Sequence, residues 1–226
     1  MKRAAFALGQ LILVAALGPC CLLAAPAPKA AAPKTPAGPP CDSCHGAHGE
    51  GMAAAHVPRL TGQSAEYLQK QLDDYASGAR ENPVMSNFAK ALSEEQRGQL
   101  AAHYAGMTAA YIPDTGVAPT ASQLSRGHQL AYQGDERLRV QACNSCHGPD
   151  GSGVLHAAPY LAGQSSEYLA SAIKSFQTET RKNDDGQLMR SVAKRLNDAD
   201  ITAVSLYFAQ AGAAHVAPSP VSTRSP

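Results

Sequence analysis

The segment Cys41-Asp-Ser-Cys-His45-Gly46 returns as Cys143-Asn-Ser-Cys-His147-Gly148, 102 residues later, and the likeness does not stop at the cysteines. Pro58-Arg-Leu60-Thr-Gly62-Gln63-Ser64-Ala-Glu66-Tyr67-Leu68 returns as Pro159-Tyr-Leu161-Ala-Gly163-Gln164-Ser165-Ser-Glu167-Tyr168-Leu169. Arg80 and Asn82 pair with Arg181 and Asn183, and Met85, Ala89 and Leu92 pair with Met189, Ala193 and Leu196 once three extra residues are allowed before the second Met. A repeat of this kind restricts the fold to two copies of one small unit. Each copy is short for a self-sufficient core, and aromatics are only 5% of the 226 residues, with no Trp, so something besides Phe and Trp must fill the interiors.

Within each unit no alternating apolar run is long enough for a sheet, and the pattern is one of helices joined by Gly/Pro loops. Ser64 to Ser77 and Ser165 to Thr178 open on a capping residue and continue with apolar positions at helical spacing. Ser93 to Met107 and Asn197 to Ala211 begin with an N-cap residue and acidic groups in the first turn, which complement the helix dipole. Ala121 to Val140 predicts a further helix, broken near Gly134, ahead of the second cysteine motif. The first motif instead follows a Pro/Ala-rich stretch, so the first unit is expected to lack a leading helix. The domain expectation is a linker over 28–40, a first domain over 41–107, a linker over 108–121, a second domain over 122–212 and an extended tail over 213–226.

Lys2 and Arg3 precede an apolar run from Ala4 to Ala25, and small residues follow. Residues 1–27 read as a secretory signal peptide that is removed, placing the mature chain in the periplasm without stable membrane insertion. An uncleaved anchor and lipidation at Cys20 are the competing readings of the same segment. Four cysteines then remain, and in an exported chain their default use is two disulfides. The formal charge of +1 carries no basic excess for holding nucleic acid. Residues 41–107 hold five Lys/Arg against eight Asp/Glu, whereas 122–215 hold nine of each. That contrast fits either two ordinary solvated faces or two unlike docking surfaces.

The His that directly follows each second cysteine displaces the disulfide reading, because C-x-x-C-H is the attachment signature of c-type haem. Positions i, i+3 and i+4 of a helical turn share one face. Cys41 and Cys44 can therefore bond the porphyrin vinyl groups while His45 reaches the iron, as can Cys143, Cys146 and His147. A zinc site would have to join two distant pairs, and a thioredoxin-like pair needs a strand-helix context that is missing and leaves the His unexplained. The sixth iron ligand decides function, since a filled position favours electron transfer and an open one permits chemistry. Met85 and Met189 stand at equivalent places after a loop and before the last helix, and they are the expected ligands. Met52 and Met107 read as packing residues. Pro58 and Pro159 could orient the axial His through a backbone carbonyl. Tyr67 and Tyr168 are expected to pack beside the haem, and Arg80 and Arg181 either pair with its propionates or are solvated.

With these motifs in order, residues 41 to 212 resemble the two-haem class I cytochromes c of the cytochrome c4 type. The resemblance implies an all-α fold of two tandem cytochrome domains, each wrapped around one covalently bound haem c. It implies iron ligation by His45 with Met85 and by His147 with Met189. It also implies a periplasmic carrier of single electrons, not an enzyme, working between partners such as a membrane-bound quinol-oxidising complex and a terminal oxidase. A cytochrome subunit of a dehydrogenase, a dihaem peroxidase and a gas or redox sensor are the alternatives.

Overall fold

A computed structural model describes residues 41–108, 118–154 and 158–215, with side chains as far as 211. The expected signal peptide with Cys20, the 28–40 linker, most of the inter-unit linker and the end of the tail lie outside the described residues. Among the described residues the chain is helical, and isolated bridges such as Met52 with Val57 are the only β pairing.

The first lobe holds α1 (Asp42–His45), α2 (Ala65–Ser77), α3 (Met85–Ala91) and α4 (Glu94–Ala105), and the second holds α5 (Ala121–Tyr132), α6 (Asn144–His147), α7 (Ser166–Gln177), α8 (Leu188–Ala193) and α9 (Asp198–His215). The helix starts follow from their caps. Ser64 and Ser165 each accept a backbone N–H three residues on. Ser93 with Gln96, and Thr120 with Gln123, form reciprocal capping boxes that satisfy two otherwise orphaned donors each.

The two methionines differ from expectation in one respect: each lies in the first turn of a short helix, α3 or α8, where the sequence reading placed no helix between the loop and the last helix. Asn82 Oδ1 accepts the N–H groups of Val84 and Met85 and so starts α3. In the second lobe the three extra residues form a tight turn, Asp185–Gln187, and Asp184 holds Arg190 at 2.7 Å to fix α8 behind it.

The lobes have unequal cores. In the second, α5 crosses α9 and packs Leu130, Leu169, Leu196, Ile201, Val204 and Phe208 into one cluster. In the first, the buried cluster is Leu68, Ala101 and Tyr104. Among the described residues the first lobe has no counterpart of α5, and α4 is made accordingly. Asp200, Ile201 and Ala203 of α9 are buried, whereas their register mates Gln96, Arg97 and Gln99 in α4 are polar and half-buried or exposed.

The α5–α9 crossing depends on Gly127. A Cβ there would meet Tyr207 Cβ at 2.5 Å and the Ala203 carbonyl oxygen closer still. Gly127→Ala is therefore expected to lower the thermal midpoint of the second lobe through overpacking of about 1–3 kcal/mol or more. An unchanged melting curve would show that the crossing is looser than the backbone implies.

Candidate haem sites

Each cysteine motif occupies a short helical turn. His45 N–H bonds to the Cys41 carbonyl at 2.9 Å and His147 N–H to the Cys143 carbonyl at 2.9 Å, which sets the Cys, Cys and His side chains on one face. The four cysteines are free of disulfides, with Cys41 and Cys143 half-buried and Cys44 and Cys146 exposed. Burial pushes the Cys143 thiol up to about 11 and raises that of Cys41 as well, so before attachment both would be neutral thiols.

The two imidazoles are held alike. His45 Nδ1 lies 2.9 Å from the Pro58 carbonyl oxygen and His147 Nδ1 lies 3.0 Å from that of Pro159. A carbonyl can only accept, so Nδ1 carries the proton in each ring and Nε2 presents its lone pair. Burial pushes both imidazole pKa values below the ordinary one, against the opposing pull of the Pro carbonyl, which keeps the rings neutral. This is the orienting carbonyl expected from the repeat.

A cavity of about 800 Å3 runs through the described chain, and all eight expected ligand and attachment residues line it: Cys41, Cys44, His45, Met85, Cys143, Cys146, His147 and Met189. Of the histidines with described side chains, only His45 and His147 do so. Met107 packs against the first-lobe cluster as expected, whereas Met52 is exposed rather than packed. Val84 and Leu188, each just before its methionine, are exposed apolar residues at the cavity edge.

Arg80 and Arg181 also line the cavity, and the solvated reading of them fails, since only 9% and 8% of each residue is exposed. Both donate to Gln71 Oε1, at 2.8 and 2.9 Å, and each reaches a tyrosine hydroxyl of the other lobe: Arg80 to Tyr168 at 3.1 Å and Arg181 to Tyr67 at 3.4 Å. Burial alone would raise the Tyr168 pKa, yet the two guanidiniums bring it below the ordinary phenol value. Among the described residues neither arginine has a carboxylate partner, and two buried cations held by neutral groups call for an anion. A carboxylate-bearing planar ring system entering the cavity beside His45 and His147 meets that demand, so the residues fit haem.

A family model described as cytochrome c matches residues 38–112 and again 125–211. The chain belongs to the cytochrome c family. A thiosulfate dehydrogenase electron acceptor from Stutzerimonas stutzeri (strain A1501) is 43% identical to this cytochrome over 177 residues, covering 78% of this chain and 81% of the relative. Cytochrome c4 of Pseudomonas aeruginosa is 35% identical over 74% of this chain and 81% of its own. The crystal structure of reduced cytochrome c4 from Pseudomonas stutzeri superposes with a TM-score of 0.67 at 30% identity, over 74% of this chain and 91% of that one. This cytochrome is a dihaem electron carrier of the cytochrome c4 type, with two tandem cytochrome c domains and a covalently bound haem c for each C-x-x-C-H motif.

Proposed function

We propose that this cytochrome carries single electrons in the periplasm through two His/Met-ligated haems, taking them from a dehydrogenase and passing them to a terminal oxidase. The observation that carries this reading is the doubled arrangement lining the cavity: a neutral imidazole locked by a Pro carbonyl, and a half-buried methionine at the equivalent place in each lobe. Residues 41–107 and 122–212 are taken as the two domains. When bound, each haem supplies a one-electron couple that a thioether opposite an imidazole holds at positive potential.

The chain's own residues set the conditions for that couple. Cys41 with Cys44, and Cys143 with Cys146, tether the ring edges, so the group cannot leave in either oxidation state. His45 and His147, fixed by the Pro58 and Pro159 carbonyls, would hold the iron through Nε2, and Met85 and Met189 would serve as the second protein ligands, a set that would leave no position for substrate or water. Arg80 and Arg181, buried and without a carboxylate partner among the described residues, would hold the propionates. With both protein ligands retained, little rearrangement would accompany electron gain and loss. The cytochrome c4 relatives support a carrier rather than an enzyme. Among the described residues no helix is long and apolar enough to cross a membrane. Export rests on the amino-terminal pattern at 1–27.

The donor assignment rests on the 43% identity to a relative named for accepting electrons from thiosulfate dehydrogenase. A quinol-oxidising complex as donor is the second reading, as the sequence resemblance to the cytochrome c4 type implies. An anaerobic visible redox titration of the haem-loaded protein, repeated with CO on the reduced form, tests the ligation. Two low-spin haems at positive potential with no response to CO are expected. A high-spin or CO-binding haem would put the peroxidase or sensor reading ahead. Stopped-flow mixing with a thiosulfate-oxidising dehydrogenase and thiosulfate tests the donor; reduction within the mixing time is expected, and reduction only by a quinol-oxidising complex would reassign it.

A further inference from the structure

Two buried glutamines at equivalent repeat positions clasp the backbone of the opposite lobe. Gln164 Oε1 accepts the Arg59 N–H at 2.9 Å while its Nε2 donates to the Arg59 carbonyl at 3.0 Å. Gln63 does the same in reverse: its Oε1 accepts the Tyr160 N–H at 3.0 Å and its Nε2 donates to the Tyr160 carbonyl at 2.7 Å. Both side chains are buried, and in each case all of the carboxamide's pairing capacity towards the other lobe goes to a single residue.

That residue is the one after the proline that orients the axial histidine. The Arg59 N–H and the Pro58 C=O belong to one peptide group, and the Pro58 oxygen accepts His45 Nδ1–H at 2.9 Å. Gln164, peptide 58–59 and His45 therefore stand in series. Gln63, peptide 159–160 and His147 form the matching series, with the last link at 3.0 Å. A peptide is a conjugated amide, so a hydrogen bond accepted from its N–H increases the charge on its oxygen and strengthens the bond made there.

We propose that Gln63 and Gln164 are positioning residues for electron transfer, each setting the axial histidine of the opposite lobe through one intervening peptide group. The proposal rests on His45 and His147 as the iron ligands. A stronger pull on Nδ1–H makes the imidazole a better donor, which favours the ferric state and lowers the potential. The peptide cannot turn away from this role. Gly51 at φ 82° brings its own chain so close that a Cβ would lie 2.6 Å from the Arg59 nitrogen, and at Gly153, φ 77°, a Cβ would make a looser but still tight 3.1 Å contact with the Tyr160 nitrogen. The clasp thus gives each lobe a hold on the other lobe's redox centre through hydrogen bonds rather than through the haems themselves.

The test is a crossed comparison of haem-loaded Gln164→Leu and Gln63→Leu. The two centres are followed separately by the NMR signals of their histidine ring N–H groups and by resolved potentials. Gln164→Leu is expected to raise the potential of the first-lobe haem and to speed exchange of the His45 ring N–H by about tenfold, equivalent to about 1.4 kcal/mol, leaving His147 as it was. Gln63→Leu is expected to do the reverse. Changes confined to the lobe that carries the substitution, equal in both lobes, or absent from both would overturn the proposal. Wild-type exchange provides a reading that needs no variant: the Arg59 amide and the His45 ring N–H are expected to exchange together, as are Tyr160 and His147, and independent exchange overturns the series. Failure of the ligation reading is distinguishable, because the wild-type ring N–H signals would then lack the shifts imposed by a bound haem while the Arg59 and Tyr160 amides stayed protected.

Discussion

Produced without haem, the chain is expected to lose its fixed tertiary structure, with the near-UV circular dichroism gone and the thermal transition broad or absent. The reason is volumetric. At about 24 cal/mol per Å3, a cavity of about 800 Å3 left unfilled costs on the order of 20 kcal/mol. Half of that, allowing for collapse and water entry, still matches the roughly 5–15 kcal/mol that holds an ordinary domain together. The two lobes should not fail alike. In the second, Leu130 and Ala131 of α5 and Ile201 of α9 are buried in a cluster and do not line the cavity, whereas Leu68, Ala101 and Tyr104 of the first all line it, and the first has no such helix pair among the described residues. Hydrogen exchange of the haem-free protein should therefore find residual protection in α5 and α9 and none in α2 and α4. Retention of a cooperative, native-like melt would mean that the side chains close the cavity by themselves.

How far this arrangement could be read from the sequence depends on whether the signal is local. Ser64, Ser93, Thr120 and Ser165 act within three residues of themselves, so the helices they start were legible, and the C-x-x-C-H turns were legible for the same reason. The Pro58 and Pro159 carbonyls were legible because the repeat keeps them in register with His45 and His147. What could not be read was contact between the repeats. The sequence offers no sign that Gln63 faces Tyr160 or that Arg80 faces Tyr168, since each pair is separated by nearly the length of a repeat and neither residue type declares a partner. Arg80 and Arg181 were open to two readings, propionate partner or solvated cation, because arginine is mostly exposed, and only their burial removes the second. Tyr67 and Tyr168 were expected to contribute ring packing, and their hydroxyls turn out to accept hydrogen bonds from the opposite lobe's arginine. The polar remaking of α4 was available in principle. Aligning Gln96, Arg97 and Gln99 with Asp200, Ile201 and Ala203 shows that α4 has no apolar face left for a crossing helix, a sign that the two copies had diverged in how each is closed.

The cross-lobe contacts also change what the duplication means for electron transfer. Gln71 has no equivalent in the second repeat, where Ala172 stands, yet it receives both arginines and Asn183 as well. One amide oxygen from the first lobe thus gathers the cationic groups of both. A charge added to either site is felt by guanidiniums that also face the other, and the same low-polarity interior that makes unpaired cations costly makes that influence strong. Two haems on such a frame are not independent carriers strung on a linker, and substitutions near one should be read at both.

Met85→Ala and Met189→Ala separate the local effect from this shared one, and they carry the largest expected change in function. A neutral, soft thioether stabilises the ferrous state and leaves the iron six-coordinate; alanine is too short to reach, and water enters in its place. Met85→Ala should lower the potential of the first-lobe haem by a few tenths of a volt, within the roughly 0.8 V that axial ligands command. It should also remove that haem's Met-type charge-transfer absorption and let its reduced form bind CO. The second-lobe haem should keep its ligands and remain inert to CO, with its potential moved only through the shared cationic centre. Met189→Ala should reverse the pattern. Met52 and Met107 supply controls of the same residue type, since Met52 is exposed and Met107 packs against Leu68, Ala101 and Tyr104, and their alanine variants should leave both spectra unchanged. If Met52→Ala rather than Met85→Ala opened the first haem to CO, the ligand assignment in that lobe would be wrong. An unaltered spectrum in Met189→Ala would remove the equivalent assignment in the other.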